Sequence, residues 1–348
     1  MKKALLSVVV LILILISGFI GLTIGKKTSK KTDTQEIRFK PLEKYTIENL
    51  SQTDIKPGKL EIKDVMEEGE NYVSYLFQLT FNPNLDGKTF KKITGQINLP
   101  GPSTIRKGSE MKKSKEKFPI IVMFRGYIDQ TKYKTGDGTR NAADFFAKNA
   151  LITIAPDFLG YAGSDKEVGN IFEARFQTYT TSLSLIKSLD QIVEWNNKDI
   201  FLWGHSNGGQ IALTILEILG ERLPTTLWAP VSKPFPYSVL FFTDASDDRG
   251  KLIRYELSEF EKKYEVELYS LTNYLEKINS PLQIHQGESD DAVPKKWSDE
   301  LSEKLKTLNK NFKYYLYPDT DHNMFPVWND VVSRDLEFFK LNGKFPNL

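Results

Sequence analysis

The sequence predicts an α/β protein with a mostly parallel sheet, helices on both faces and antiparallel strands at its N-terminal side. Residues 59–99 contain alternating apolar runs separated by turn residues, a pattern typical of an antiparallel meander. From residue 118 onwards, short apolar strands alternate with helices, which is typical of a parallel sheet covered on both faces. A third observation is the segment 199–219, where an apolar strand, a glycine-rich turn and an apolar helix follow one another directly.

The chain divides into four predicted segments. They are a transmembrane anchor or signal segment at 1–25, a polar linker at 26–58, N-terminal antiparallel strands at 59–117, and an α/β domain at 118–348 with a helical cap insertion at about 230–279. Predicted strands are 60–65, 72–81, 93–99, 119–124, 151–155, 225–229, 282–285 and 312–317, besides the one that enters the glycine-rich turn. Predicted helices are 139–149, 173–196, 208–219, 252–277 within the cap, 295–308 and 327–340.

The first residues form a nearly unbroken apolar run over 4–24, preceded by Lys2 and Lys3 and followed by a lysine-rich stretch. About twenty apolar residues suffice to cross a bilayer as a helix. We expect an uncleaved N-terminal transmembrane helix, with a cleaved signal peptide as the alternative. A short Lys-Lys leader is typical of an export signal, so we expect the remainder of the chain to be extracytoplasmic, although the lysines at 26–31 favour the opposite orientation.

The composition excludes several classes of protein. A net charge of +2 in 348 residues argues against a nucleic-acid partner, which normally requires a strong basic excess. The absence of cysteine excludes disulfides, thiolate metal sites and cysteine nucleophiles. A 40% hydrophobic fraction is ample for a sizeable core.

The turn Gly204-His-Ser-Asn-Gly208 fits the G-x-S-x-G nucleophile elbow, in which a strained strand-to-helix corner exposes a serine hydroxyl. Its glycines leave room for backbone at a corner too tight for a Cβ atom. The helix that follows points its free N–H groups and positive dipole end towards Ser206. Ser206 is therefore the candidate nucleophile.

A serine hydroxyl needs a base to take its proton, and the chain has three histidines. His205 lies inside the elbow, where its ring should point away from the hydroxyl, and His285 ends a predicted strand. His322 lies in a loop between the last strand and the last helix. Enzymes with this elbow place serine, acid and histidine in that order along the chain, which selects His322 as the base.

The acid that orients the base should follow a strand between Ser206 and His322. The turn Gly287-Glu-Ser-Asp-Asp-Ala-Val-Pro294 supplies Asp290 as the first choice and Asp291 as the alternate. Weaker candidates are Asp244, Asp247 and Asp248 in the cap.

Two backbone N–H groups are candidates for the oxyanion hole that acyl transfer requires. Asn207 provides one at the elbow, and Tyr127, in the loop after strand 119–124, provides the other because Gly126 permits close approach. In the cap, we expect Phe235 and Tyr237, with Leu240, Phe241 and Phe242, to line the substrate cleft. The alternative is that these side chains only pack the cap onto the domain.

These motifs resemble those of the α/β-hydrolase superfamily, in particular the prolyl oligopeptidase family catalytic domain and its dienelactone-hydrolase-like relatives. The resemblance covers about 90–345 and rests on Arg125-Gly126, on Pro156-Asp-Phe-Leu-Gly-Tyr-Ala-Gly-Ser-Asp165 and on the turn 287–294. It implies the α/β-hydrolase fold and supports Asp290 over Asp291. The chain departs from the family at Arg125, where a histidine is usual, and at Ala162, where a glycine is usual. The segment 26–117 is also too short for the β-propeller of the family's peptidases.

The sequence therefore predicts a serine hydrolase that acts on a small-molecule ester or peptide substrate through an acyl-enzyme, without metal or cofactor. The family resemblance favours a serine peptidase, with a carboxylic ester hydrolase as the alternative. A catalytically silent binding protein with the same fold is the hypothesis from another class.

Overall fold

The structure is a computed structural model and describes residues 40–101, 116–243 and 246–346. The predicted anchor at 1–25 and the first part of the predicted linker lie outside these ranges. Within them, no helix is both long and apolar enough to cross a membrane. The elements that follow belong to a compact unit that spans Leu42–Leu348.

The described part of the chain contains one nine-stranded sheet. Its strands are β1 Lys59–Gly69, β2 Tyr72–Phe81, β3 Lys91–Pro100, β4 Phe118–Phe124, β5 Ile152–Pro156, β6 Trp195–His205, β7 Thr225–Trp228, β8 Leu282–Gly287 and β9 Phe312–Tyr317. Their spatial order is β1-β2-β3-β5-β4-β6-β7-β8-β9. Three pairs are antiparallel: β1 with β2, β2 with β3, and β3 with β5. The remaining pairs in the described sheet are parallel.

The helices cover both faces of this sheet. They are α1 Ile47–Gln52, α2 Arg140–Lys148, α3 Ile171–Lys187, α4 Asn207–Leu219, α5 Tyr237–Leu240, α6 Lys251–Glu261, α7 Lys295–Thr307 and α8 Trp328–Asn342. One apolar cluster joins α3 and α4 to the sheet through Phe176 and Ile211. A second cluster, on α2 and α8, brings Phe146 within 5.6 Å of Phe339, measured between ring centroids. The predicted mixed sheet with helices on both faces is confirmed.

The strand order reverses around β4, because β5 lies on one side of β4 and β6 lies on the other. In open parallel sheets, ligands bind beside the carboxyl ends of the strands at such a reversal. The loops that follow β4 and β6 carry Gly126 and Ser206 respectively. The topology therefore places two of the sequence-predicted loops at the same edge of the sheet.

The structure corrects the described part, 40–58, of the polar linker predicted at 26–58. Leu42, Tyr45, Ile47 and Leu50 are buried in the same cluster as α3 and α4. The Tyr45 hydroxyl lies 3.1 Å from Glu173 Oε1 of α3. These few apolar residues are separated by polar ones and show no sustained period, so only their packing partners elsewhere in the chain reveal that the segment is ordered.

The helix predicted at 173–196 is shorter at its C-terminal end in the structure. The helix ends at Lys187, a 3₁₀ turn follows at Leu189–Gln191, and β6 already begins at Trp195. Leu189 and Ile192 are buried beyond the helix end, which extends the apolar spacing without extending the helix. Strand pairing decides the boundary, because Trp195 is in register with Phe118 of β4.

The cap insertion at 230–279 is present but contains shorter helices than predicted. The predicted helix 252–277 is α6, which ends at Glu261, followed by three 3₁₀ turns between Val266 and Lys277. Residues 244–245, which include the candidate Asp244, lie outside the described residues.

Candidate active site

Ser206 lies at the corner between β6 and α4. Its backbone angles are φ 56° and ψ −119°, a strained conformation for a residue with a side chain. The Ser206 N–H donates to the Trp228 carbonyl at 2.8 Å, and its carbonyl accepts from Val231 N–H at 3.0 Å. Hydrogen bonds to the end of β7 and to the chain just after it thus hold the strained corner.

Gly208 explains why the corner needs glycine. A Cβ atom at this position would lie 1.8 Å from the Phe124 carbonyl oxygen, so the start of α4 packs directly on the end of β4. This close approach brings the loop after β4 next to the nucleophile. The G-x-S-x-G pattern therefore reflects the packing of two chain segments that are about eighty residues apart.

His322 and Asp290 lie together at the carboxyl edge of the sheet. His322 Nδ1 is 2.8 Å from Asp290 Oδ2, and the side chains are 16% and 0% exposed. Asp290 also accepts from the backbone N–H groups of Ala292 and Val293 at 2.9 and 2.8 Å. Burial alone would raise the pKa of Asp290, but its contacts with His322 and these N–H groups hold that pKa below its ordinary value. Asp290 is therefore an ionised carboxylate suited to orient an imidazole.

The other acid candidates are not at this histidine. Asp291 is exposed, although it is the neighbour of Asp290. Asp248 accepts from the N–H groups of Gly250 and Leu252 and so caps the start of α6. His285 is also accounted for, because its Nε2 lies 2.9 Å from the buried Asp335 and its Nδ1 lies 2.8 Å from the Tyr317 hydroxyl.

His205 contacts the backbone of His322, which the sequence did not indicate. Its Nε2 lies 2.9 Å from the His322 carbonyl oxygen, and the two ring centroids are 4.6 Å apart. Burial, and secondarily the neighbouring His322, lowers the pKa of His205 to about 4. At neutral pH the His205 ring is uncharged and donates its remaining proton to that carbonyl. His205 thus ties the loop that carries His322 to the elbow.

Gln286 is a second supporting residue that the sequence did not indicate. Its Nε2 donates to Asp290 Oδ2 at 3.0 Å, and its Oε1 accepts from the buried Ser298 hydroxyl at 2.7 Å. The amide orientation is thereby fixed, and so is the carboxylate that faces His322.

Both predicted oxyanion donors belong to peptides next to Ser206. Asn207 is the first residue of α4, so its N–H has no acceptor within the helix. An added Cβ at Gly126 would lie 3.2 Å from Ser206 Cβ, which brings the Gly126–Tyr127 peptide against the nucleophile. Arg125 Nη1 donates to the Gly126 carbonyl at 2.9 Å, the other end of the peptide that carries the Tyr127 N–H. Because the peptide is planar, this bond fixes the direction of that N–H.

Arg125 is itself held by a buried aromatic and polar cluster. Its guanidinium lies 4.0 Å from the Tyr161 ring centroid and 4.4 Å from that of Tyr133, and it donates to the Asp157 carbonyl at 3.1 Å. The Asp157 carboxylate accepts from the hydroxyls of Thr94, Tyr133 and Thr135. Burial raises the pKa of Asp157, an effect that these hydroxyls and Arg125 oppose. Arg125 is thus a rigid support for the Gly126–Tyr127 peptide.

A cleft of about 720 Å³ opens beside Ser206, between the loops that follow β4 and β5 and helices α3 and α4. Its walls include Arg125, Tyr127, Gln130, Phe158, Leu159, Tyr161, Lys166, Glu167, Ile171, Arg175, Gln177, Thr178, Asn207, Gln210 and Ile211. Among these residues, the sequence predicts a ligand-facing role only for Tyr127 and Asn207.

Neither of the two cap residues predicted to line the substrate cleft, Phe235 and Tyr237, lines the cleft described above. Phe235 is 5% exposed, and its ring centroid lies 5.5 Å from Phe172 and 5.8 Å from Phe260. It packs the cap onto α3, as the alternative interpretation held. Tyr237 is 49% exposed and lies near Phe241 and Trp297, away from the walls of the cleft. Aromatic composition alone could not distinguish a packing role from a binding role.

No group of three or more acidic, histidine or cysteine side chains in the described ranges is arranged to hold a metal ion. The described residues at and around the elbow offer a strained serine, backbone N–H groups next to it, and an imidazole that contacts a buried carboxylate on a loop bonded to the elbow. Such groups are suited to nucleophilic acyl transfer.

Comparisons with known proteins agree with this chemistry. Residues 186–340 match the model of the prolyl oligopeptidase family. The uncharacterized peptidase YtmA of Bacillus subtilis (strain 168) is 26% identical over 194 residues, which are 55% of this chain and 72% of that protein.

Solved structures show the same fold. Acetyl xylan esterase 1 from Thermoanaerobacterium sp. JW/SL YS485 matches 87% of this chain and 94% of its own, with a TM-score of 0.60 and 15% identity. Est1E from Butyrivibrio proteoclasticus, with ferulic acid bound, matches 72% of this chain and 95% of its own, with a TM-score of 0.53 and 17% identity. A puromycin-hydrolyzing peptidase of Mycobacterium tuberculosis matches 83% of this chain but 40% of its own, with a TM-score of 0.52 and 13% identity. Residues 186–340 are thus similar to the prolyl oligopeptidase family, and this match, the peptidase relative and the shared α/β-hydrolase fold support a serine hydrolase.

Proposed function

We propose that the protein hydrolyses an acyl bond through Ser206, His322 and Asp290. The observation that carries this proposal is the 2.8 Å contact between His322 and the buried Asp290, on a loop that His205 holds beside the elbow. His322 takes the Ser206 proton at Nε2 while Oγ bonds to the substrate carbonyl carbon. The carbonyl oxygen becomes an oxyanion, which the N–H groups of Asn207 and Tyr127 stabilise.

The second half of the reaction reverses these roles. The bond to the leaving group breaks as His322 returns its proton to the leaving nitrogen or oxygen, which leaves an acyl-Ser206 ester. Water, deprotonated by His322, attacks this ester; the bond from Ser206 Oγ to the acyl carbon breaks, His322 returns the proton to Oγ, and the acid is released. Asp290 stays ionised throughout and stabilises the imidazolium, in keeping with its lowered pKa.

We propose a serine peptidase as the leading activity, because the matched family and the Bacillus relative are peptidases by name. A carboxylic ester hydrolase is the second candidate. It is favoured by the near-complete coverage of an acetyl xylan esterase, whereas the mycobacterial peptidase is covered over 40% of its length.

The test uses purified protein with an aryl ester and a peptide anilide, and compares Ser206→Ala with the exposed control Ser258→Ala. We expect turnover that S258A retains and S206A abolishes, and the preferred reporter separates esterase from peptidase. If folded wild type turns over neither reporter and is not labelled by a fluorophosphonate, the catalytically silent binding protein is the better account.

We also propose that the apolar run 4–24 anchors the protein in a membrane as a single helix, with residues 40–346 on the extracytoplasmic side. This rests on the sequence alone. The proposal predicts that full-length protein sediments with membranes after an alkaline wash and that protease added outside intact cells degrades it. Release by the wash would contradict the anchor, and protection from the protease would contradict the orientation.

A further inference from the structure

The cleft beside Ser206 carries basic side chains that the proposed chemistry does not use. We infer that it accepts acyl groups bearing a carboxylate, which Arg175 binds as the main contact and Lys166 as an additional one. The inference rests on the proposed function, since it concerns the acyl part of the substrate that Ser206 attacks.

The position of the cleft assigns it to the acyl part of the substrate. Its walls include Tyr127 and Asn207, whose N–H groups face the oxyanion, but no residue from the loops that carry Asp290 and His322. The leaving group must lie beside His322, because that imidazole protonates it. The other substituent of the carbonyl carbon therefore extends away from His322, into the cleft.

Arg175 is oriented by a fixed hydrogen-bond chain. Its Nη2 donates to Gln210 Oε1 at 3.1 Å. Gln210 is buried, and its amide donates to the Tyr179 hydroxyl at 2.7 Å and to the Thr214 hydroxyl at 3.0 Å. These two acceptors fix which end of the amide faces Arg175. The guanidinium is therefore preorganised in the cleft wall, with further N–H groups left to bind a ligand.

The distance to the nucleophile limits the length of the acyl group. Gln210 lies one turn along α4 from Ser206, which is about 6 Å of helix rise. A carboxylate that reaches the guanidinium beside Gln210 is therefore a few carbon atoms from the reacting carbonyl. Dicarboxylic monoacyl groups and acyl groups with an acidic amino-acid side chain have this spacing.

The charge balance of the cleft favours an anion. Arg175 forms no ion pair with any carboxylate in the described part of the chain, and neither does Lys166. Glu167 also lines the cleft and accepts from Gln130 at 3.1 Å, while Arg125 is turned inward onto the Gly126 and Asp157 carbonyls. Phe158, Leu159, Tyr161 and Ile171 contribute apolar wall that lowers the local dielectric constant and strengthens an Arg–carboxylate contact.

The experiment compares two matched pairs of substrates on the full chain. One pair is the 4-nitrophenyl monoester of adipic acid and the same compound with its free carboxylate methylated. The other pair is the 4-nitroanilides of N-acetylglutamate and N-acetylglutamine. S206A serves as the blank for spontaneous hydrolysis. The pair with the larger charge preference distinguishes a dicarboxylic acyl group from an acidic residue as the source of the carboxylate.

In at least one pair, we expect wild type to favour the charged member by about ten- to hundredfold in kcat/KM, the range of a charge-assisted hydrogen bond. Arg175→Gln should reduce that ratio to near one, and Arg175→Lys should restore part of it. Lys166→Gln should reduce it by less. Arg222→Gln, which removes an exposed guanidinium bonded to Asn342, is the charge-matched control and should keep the wild-type ratio. Added salt should lower the wild-type ratio.

A wild-type ratio near or below one in both pairs overturns the inference, and so does an unchanged ratio in R175Q. If R175Q does not fold, the kcat/KM ratio of R175K and the salt dependence of the wild-type ratio test the inference instead. Failure of the proposed function looks different: S206A would then match wild type on all four compounds, or fluorophosphonate would fail to label folded wild type. Turnover of the neutral compounds without a charge preference contradicts the anionic subsite alone.

Discussion

At the scale of single residues, Asp290 and Asp291 are neighbours in the chain but differ completely in surroundings. The Asp290 side chain is shielded from solvent and bonded to His322, Gln286 and two backbone N–H groups, while Asp291 is exposed. The family resemblance of the turn 287–294 favoured Asp290 from sequence. The supporting roles of Gln286 and His205 could not be predicted in this way, because they depend on contacts between separate loops.

Replacement of Asp290 by Asn should lower kcat by about 10³–10⁴-fold, the range found when a triad acid loses its charge. The amide cannot stabilise the imidazolium and favours the wrong tautomer of His322. The matched control is Asp291→Asn, which should stay within a few fold of wild type. Steady-state kinetics on the preferred reporter decides, and equal loss in both variants would contradict the assignment of Asp290.

Arg125 acts on the reaction through the Gly126–Tyr127 peptide. A lysine at position 125 cannot bond both the Gly126 and Asp157 carbonyls while also stacking on two aromatic rings, as Arg125 does. In Arg125→Lys, the Tyr127 N–H therefore loses its fixed direction. Loss of an oxyanion donor costs about 10²–10³ in kcat, and we expect a misdirected donor to cost about ten- to hundredfold.

The R125K measurement separates kcat from KM. We expect kcat to fall with little change in KM, and the rate of fluorophosphonate labelling to fall with it. Arg140→Lys, an exposed position on α2, is the control. Wild-type kcat in a folded R125K protein would show that Arg125 does not position the donor.

At the scale of elements, α4 carries a buried acid that no hydrogen bond satisfies within the described residues. Both carboxyl oxygens of Glu217 lack such a partner. Burial raises the pKa of Glu217 well above its ordinary value of 4.5, an effect to which Glu276 adds. The folded protein therefore holds this carboxyl in its neutral form.

The pH dependence of stability follows from that raised pKa. The folded state binds the proton more tightly than the unfolded state does. The contribution of this Glu217 proton to the free energy of unfolding is therefore complete below about pH 4.5, the ordinary pKa, and is lost as the pH rises above that value. Glu217→Gln removes this loss, so the Tm of E217Q relative to wild type should be higher at about pH 8 than at about pH 5.

Thermal unfolding across this pH range tests the prediction. Glu221→Gln, at an exposed position just beyond α4, provides the control and should show a constant offset. A pH-independent Tm difference for E217Q would mean that Glu217 keeps its ordinary pKa in the folded protein.

Most elements of the sheet could be predicted because their signals are local. Strands β2 and β9 and helix α4 match their predicted limits within a residue, since apolar runs there are bounded by turn residues or glycine. The end of α3 could not be predicted, because buried Leu189 and Ile192 continue the helical spacing through a turn. There, pairing of β6 with β4 overrides local pattern.

At the scale of the whole molecule, the segment from Leu42 to Ile55 belongs to the folded core. Leu50 is fully buried against residues that lie more than a hundred positions away in the chain. Leu50→Ala should lower the free energy of unfolding by about 2–5 kcal/mol, the usual cost of deleting a buried leucine side chain.

Urea unfolding measures this loss. The exposed Val65→Ala is the control and should change the free energy by less than about 0.5 kcal/mol. Similar small effects in both variants would mean that the segment is the loose linker its composition indicates.

In the candidate site, too, local motifs are readable from sequence, whereas contacts between distant parts of the chain are not. The sequence points to Ser206, His322 and Asp290 because each lies in a short motif after a strand, and the structure brings His322 and Asp290 into contact. The cleft could not be predicted, since Arg175 and Gln210 come from the faces of two helices that meet only in the folded chain. Phe235 is predicted to line the cleft because the segment around it is rich in aromatic residues. Its ring instead packs on Phe172 and Phe260, which the local sequence does not reveal.

Whether Ser206 is the nucleophile is tested most directly by locating the covalent adduct that a fluorophosphonate forms. Wild-type protein is treated with the reagent, digested, and analysed by mass spectrometry. We expect a single adduct on Ser206, much slower labelling of His322→Ala, and none on S206A. An adduct on another serine, or equal labelling of S206A, would contradict the assignment of Ser206 as the nucleophile.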